Sequence, residues 1–306
     1  MSMKNQTLIS EIFLSGFQNL HNFKIPVFTV FLLIYIMTVW ENVLIIMLVS
    51  LSRNLQSPMY FFLRQLSLCD LLESSNTAPV LLKTIISDGV TMPLVGCITQ
   101  LYFTAYSVTF QSFLLAVMSY DRYVAICNPL RYSSIMSHRV CIEIILMSWI
   151  ISICSTLVTS SLIGTLQFCN QKNINHFFCD LDPLLELSCS DTFFAKTEAT
   201  LMSIPVVVSP FILICVSYMC IAHAILKIVS NTGRQKAFST CSSHLAVVSI
   251  YYGTLISIYL TPSKNQSQNR SKVLSLMYTV GIPFINPVIY SLRSTDIKKA
   301  LKMPYK

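Results

Sequence analysis

Long apolar blocks alternate with short polar stretches along this chain; strands do not alternate with amphipathic helices. The blocks run roughly Ile25–Ser50, Pro58–Val80, Cys97–Tyr120, Val140–Ser161, Ala199–Ala222, Ala237–Leu260 and Val273–Leu292. A helix needs about 20 apolar residues to cross a hydrocarbon layer about 30 Å thick. The pattern therefore predicts an all-α membrane protein, a seven-transmembrane helix bundle over residues 25–292. Residues 1–24 form an outer N-terminus without an apolar core of their own, so the first block acts as an uncleaved insertion signal. Residues 293–306 form an inner tail. A short amphipathic helix is expected there from Ser294 to Lys302, with Lys298, Lys299 and Lys302 against anionic membrane lipid.

Composition sharpens this picture. Of 306 residues, 54% are hydrophobic and only 11% charged, against about 25% charged in a soluble domain. Seven glycines argue against a turn-rich β-barrel. The net charge of +8 is spread in short groups between the blocks, which excludes a nucleic-acid-binding module. With the N-terminus outside, 13 of the 21 lysines and arginines fall on the inner side, as the positive-inside rule requires. The triplet Asn5-Gln6-Thr7 is then a lumenal glycosylation acceptor. The triplets at Asn265 and Asn269 are also outside, but lie close to span seven and are expected to stay unused.

Of the 11 cysteines, Cys97, Cys169, Cys179 and Cys189 fall outside. An oxidising exterior favours two disulfides there, with three pairings open. The five histidines are scattered over both faces and build no His-x-x-Glu-His or Ser–His–Asp set. No enzyme, metal or cofactor is expected. His176 shares the second outer loop with Asp180, Asp182, Glu186 and Asp191, which reads as a solvated lid. His244 reads as a packing or hydrogen-bonding residue. A channel would need a repeated polar ring. The alternative function is a small-solute transporter, which would show repeats or paired broken helices; only span seven is strongly broken.

Several motifs occur in order on these spans. They are Leu55-Gln56-Ser57-Pro58-Met59-Tyr60-Phe61-Phe62-Leu63, Met118-Ser119-Tyr120-Asp121-Arg122-Tyr123-Val124-Ala125-Ile126-Cys127, Ser217-Tyr218, Lys236-Ala237-Phe238-Ser239-Thr240-Cys241-Ser242-Ser243-His244-Leu245, and Pro283-Phe284-Ile285-Asn286-Pro287-Val288-Ile289-Tyr290. Together they resemble an olfactory receptor of the rhodopsin-like G-protein-coupled receptor superfamily, from the larger class expanded in tetrapods. The resemblance covers nearly the whole chain. It implies a receptor of the plasma membrane, in olfactory sensory cilia, that binds a small volatile odorant and couples to a heterotrimeric, stimulatory, cAMP-raising G protein. It also implies the pairings Cys97–Cys179 and Cys169–Cys189.

The resemblance gives roles to particular residues. Asp121, Arg122 and Tyr123 end span three, where an arginine's fixed charge and planar fork suit a switch between an intramembrane partner and the G protein. Tyr218 and Tyr290 are candidate hydroxyl partners for Arg122 in the active state. No acid stands at the base of span six, where Arg234 and Lys236 lie, so a lock there would use the Ser239 or Thr240 hydroxyls. Pro283, Asn286 and Pro287 interrupt span seven and free backbone carbonyls. Asn286 is expected to satisfy them and to bond to Asp70, with Asn42 at matching depth.

Asp70 belongs to the family's sodium pocket, but Gln111 stands where a carboxylate is usual and Glu41 where a glycine is usual. Glu41 either replaces the missing charge or is protonated and hydrogen-bonded. The odorant pocket is expected in the outer half of the bundle. Its candidate lining is Thr104, Ala105, Val108 and Thr109 in span three, Met202, Ser203 and Val206 in span five, Tyr252, Leu255 and Tyr259 in span six, and Leu276 and Thr279 in span seven. This mostly apolar lining with a few hydroxyls suits a volatile with one oxygen function. With threonine at position 104, where amine receptors carry an aspartate, a cationic amine is disfavoured.

Overall fold

The computed structural model describes residues 9–17, 21–52, 55–169, 172–228, 230–259, 268–293, 297–298 and 300, with backbone alone at 21, 236, 237, 239, 240, 259, 268, 269, 292 and 293. Its helices are apolar outside and polar inside. Span one, Lys24–Leu51, turns Trp40, Val43, Met47 and Leu51 outward and buries Thr38 and Asn42. Span two, Pro58–Ile86, buries Gln65, Ser67, Asp70, Glu73, Ser74 and Thr77. Such sorting is expected in lipid, where polar side chains must find partners between helices.

Spans three and four are Leu94–Cys127 and His138–Gly164. Span five comprises Phe193–Ser203, a π-type turn at Ile204–Val208 and Ser209–Lys227. Span six is Asn231–Tyr259. Span seven comprises Gln268–Leu276, a second π-type turn at Met277–Gly281 and Ile282–Arg293. Six of the seven meet both the length and the apolar composition of a membrane span. Span two has the length, with 29 residues, but carries Arg64, Asp70, Glu73 and Lys83. The protein is a multi-pass membrane bundle.

Local signals explain the helix starts. Pro58 sits in the first turn of span two, where its missing N–H costs nothing, after an extended Ser57. Ser137 caps span four by accepting from the Val140 N–H at 3.5 Å. Of the expected tail helix, the described residues Ile297, Lys298 and Ala300 are helical, and Ile297 is buried in the bundle core. The rest of that helix lies outside the described residues, as do Asn5 and Asn265.

The outer end holds structure that the helical pattern does not predict. Strand β1 (Glu11–Leu14) pairs antiparallel with β2 (Val90–Pro93) and parallel with β3 (Asn173–Ile174), in the order β2-β1-β3. Ile12 and Leu14 turn inward and join a small core with Leu101, Ile163 and Phe168. Gly89, at φ 130°, turns the chain into β2 where a Cβ would strike the Phe13 ring. Lys272, heading span seven, donates to the Gly16 carbonyl at 2.5 Å and to Asn175 Oδ1 at 2.7 Å. The N-terminal segment is thereby tied to the second outer loop and to span seven. Two disulfides fasten the same end, Cys97–Cys179 and Cys169–Cys189, with Cα–Cα distances of 5.4 and 5.8 Å. The other seven cysteines are free thiols.

Candidate functional site

Beneath this cap, in the outer half of the bundle, lies a cavity of about 200 Å³. Thr104, Ala105, Val108 and Thr109 reach it from span three, at spacings that share one helix face. Met202, Ser203 and Val206 reach it from span five and Leu255 from span six. Three further candidates point elsewhere. Tyr252 packs its ring on Phe211 at 4.8 Å. Leu276 packs against the cluster of Leu81, Ile85, Phe177 and Phe178 under the cap. Thr279 is buried, donates to the Ser275 carbonyl at 2.7 Å and borders a separate void of about 10 Å³ beside spans one and two. The π-type turn at Met277–Gly281 explains the span-seven difference. One extra residue in a turn rotates the next part of the helix by about 100°, and Tyr278 lines the cavity in place of Leu276 or Thr279. The side chain of Tyr259 lies outside the described residues.

Part of the wall was not anticipated. Span four supplies Ser155, Thr156, Thr159 and Ser160, and the second outer loop supplies Asp180 and Leu181. Asp180 caps the short helix Leu181–Leu185. Burial pushes its carboxyl up to about 6, against the backbone N–H of Leu181, which favours the charged form. In the same loop, burial together with the Lys272 charge holds His176 down at about 3, so its imidazole is neutral.

A polar cluster lies below the cavity. The Asp70 carboxylate accepts from Gln111 Nε2 at 2.8 Å and from Asn286 Nδ2 at 3.2 and 3.1 Å. Pro287 has no N–H for the carbonyl of Pro283. That carbonyl accepts instead from Asn42 Nδ2 at 3.1 Å, so Asn42, and not Asn286, repairs the break. Glu73, one turn beyond Asp70, is buried with neither oxygen bonded among the described residues. Glu41 is half-buried, and no hydrogen bond joins it to Asp70 among the described residues.

At the inner end, Asp121 is fully buried and holds Arg122 through Nε at 2.9 Å and through a second contact to Nη2. Its other oxygen accepts from the Tyr132 hydroxyl at 2.7 Å, a partner on the second inner loop that the sequence did not reveal. Tyr123 is half-buried. Tyr218 bonds His244 Nδ1 at 2.6 Å, and the buried Tyr290 hydroxyl has no partner among the described residues. Neither tyrosine is bonded to Arg122. The side chains of Ser239 and Thr240 lie outside the described residues.

Comparison with known proteins agrees with this geometry. Residues 31–305 match the sequence model of a family described as olfactory receptor. The relative named "Olfactory receptor 1468", from Rattus norvegicus, is 46% identical over 98% of this chain and 96% of its own length. "Olfactory receptor 11L1", from Homo sapiens, is 43% identical over 99% of this chain and 94% of its own.

The chain belongs to the olfactory receptor family.

It is thus one of a family of G-protein-coupled receptors, not an enzyme. Against that family's sodium pocket, this olfactory receptor departs in a definite way. Gln111 turns amide hydrogens toward Asp70, and together with Asn286 it occupies both carboxylate oxygens. The residues around Asp70 do not fit a cation held between Asp70 and an acid at position 111. The disulfide pairs in the receptor are those the resemblance implied. The hydroxyls of span four had a legible signal: Ser152, Ser155, Thr156, Thr159 and Ser160 fall at i, i+3, i+4, i+7 and i+8, one helix face.

Proposed function

We propose that this olfactory receptor binds a small, mostly apolar volatile odorant in the cavity beneath its second outer loop, and then activates a heterotrimeric G protein of the stimulatory, cAMP-raising type at its inner end. Its place of action is the plasma membrane, in olfactory sensory cilia. The observation that carries this reading is the cavity itself. Its volume is about 200 Å³, and eight of the candidate ligand residues line it. An apolar cavity of about 150 Å³ admits benzene, so this one has room for a small volatile. The buried Asp121–Arg122 pair lies at the opposite end of span three, where a charge released from Asp121 would face the cell interior.

The test is cAMP in cells expressing the chain, challenged with volatile alcohols, amines, aldehydes, ketones, esters and acids. The expected result is a concentration-dependent rise with the parent chain and none with Arg122→Ala at equal surface level. A rise unchanged by Arg122→Ala would remove the switch role. Uptake of a volatile without any cAMP would replace the receptor reading with the transporter one.

A further inference from the structure

The roof of the cavity carries an acid. Asp180 follows Cys179, and the Cys97–Cys179 bond pins it above span three. Its Oδ1 accepts from the Leu181 N–H at 2.8 Å. Among the described residues Oδ2 has no hydrogen-bond partner, and no ion pair reaches Asp180. Asp180 lines the cavity, and one of its two carboxylate oxygens is unused among the described residues.

The neighbouring wall is also rich in acceptors. Ser155, Thr156 and Ser203 donate their hydroxyl protons to helix carbonyls at 3.2, 2.7 and 2.7 Å. With their protons so engaged, these three hydroxyls have only lone pairs left for a ligand. Thr159 donates to Glu198 Oε1 at 3.1 Å, and Glu198 Oε2 is buried without a partner. Opposite this wall, Ala105, Val108, Val206 and Leu255 are apolar.

A ligand whose only polar atom is a carbonyl oxygen could accept from Thr104, whose hydroxyl takes a bond from Asn76 Nδ2 at 3.0 Å and keeps its own proton among the described residues, but it would leave Asp180 without a partner. A site built to bond a donor rejects the analogue lacking it, because buried polar groups are then left unmade. We propose that the ligand of this receptor carries a hydrogen-bond donor, a hydroxyl or an amino group, that ends on Asp180. On this proposal, which rests on reading the cavity as the ligand site, Asp180 is the specificity-determining residue. It ranks donor-bearing volatiles above carbonyl compounds of the same skeleton. The threonine at position 104 does not decide the matter, because the acid enters from the loop and not from span three.

The experiment is a cAMP concentration–response series on the full receptor, with alcohol, primary amine, aldehyde, ketone and methyl ether built on one carbon skeleton. The alcohol, the amine or both should act at concentrations about tenfold lower than the acceptor-only members. Asp180→Asn keeps a capping oxygen for Leu181 and should abolish or reverse that advantage, because its amide places an N–H donor where Oδ2 stood. An alcohol-only advantage identifies a neutral donor and an amine-only advantage a cationic one. Equal potency of donors and acceptors on the parent overturns the proposal, as does an Asp180→Asn that weakens every member alike. If Asp180→Asn does not reach the surface, the ranking on the parent decides by itself. Responses untouched by the cavity-filling Val108→Trp would show that ligands bind elsewhere, which overturns the cavity reading and this proposal with it. The equal-potency result leaves the cavity reading standing.

Discussion

Asp121→Asn is expected to raise ligand-independent cAMP several-fold. In the structure both oxygens of Asp121 are engaged, one with Arg122 and the other with the Tyr132 hydroxyl. Arg122 is only 9% exposed, so its charge has little water to fall back on. Breaking a buried ion pair from one side costs roughly 3–5 kcal/mol. That cost falls on the state in which Arg122 lies against Asp121, and it favours any state in which the guanidinium finds another partner. About 1.4 kcal/mol of such bias multiplies the minor population tenfold. Tyr290 offers a buried hydroxyl without a partner among the described residues. Basal cAMP, normalised to surface receptor, checks this. An unchanged basal level would mean that the Asp121–Arg122 pair is an anchor and not a lock.

Cys97→Ser is expected to remove most of the receptor from the cell surface. The Cys97–Cys179 bond closes a sequence separation of 82 residues, and a link of that span stabilises by roughly 4–5 kcal/mol in the chain-entropy account. Folded proteins have only about 5–15 kcal/mol in hand. The same bond holds Cys179, whose N–H donates to Gln100 Oε1 at 2.9 Å, and places Asp180 over the cavity. Cys189→Ser should do less, because its bond closes a separation of only 20 residues. Surface immunostaining of intact cells ranks the two. Surface levels equal to the parent for Cys97→Ser would contradict the account.

The spans were legible because lipid imposes one demand on every outward side chain, and the outward faces of spans one and four obey it. Span two was legible as an apolar block too, although Arg64, Asp70, Glu73 and Lys83 dilute its apolar character. The outer sheet was not legible. Its strands are four residues or shorter, and their partners are brought together only by the bundle. In the cavity, helical spacing put the four span-three residues on one face once the resemblance had placed the pocket in the outer half of the bundle. The span-four hydroxyls showed the same spacing, but serines and threonines facing inward also serve helix packing, so the pattern did not single them out. Span seven misled because a π-type turn is invisible in a 3.6-residue period. The repair of the Pro283 carbonyl by Asn42 depends on how span one lies against span seven, which no local pattern encodes.

The most direct measurement joins the two ends of the molecule. Val108→Trp is placed in the Asp121→Asn background, and cAMP is read with and without an odorant that activates the parent. The indole fills the cavity where Val108 lines it, far from the switch. The account predicts a raised basal signal, which shows a folded and coupled receptor, and no further rise with odorant. A rise with the parent's concentration dependence, despite the filled cavity, would contradict the placement of the ligand beneath the second outer loop.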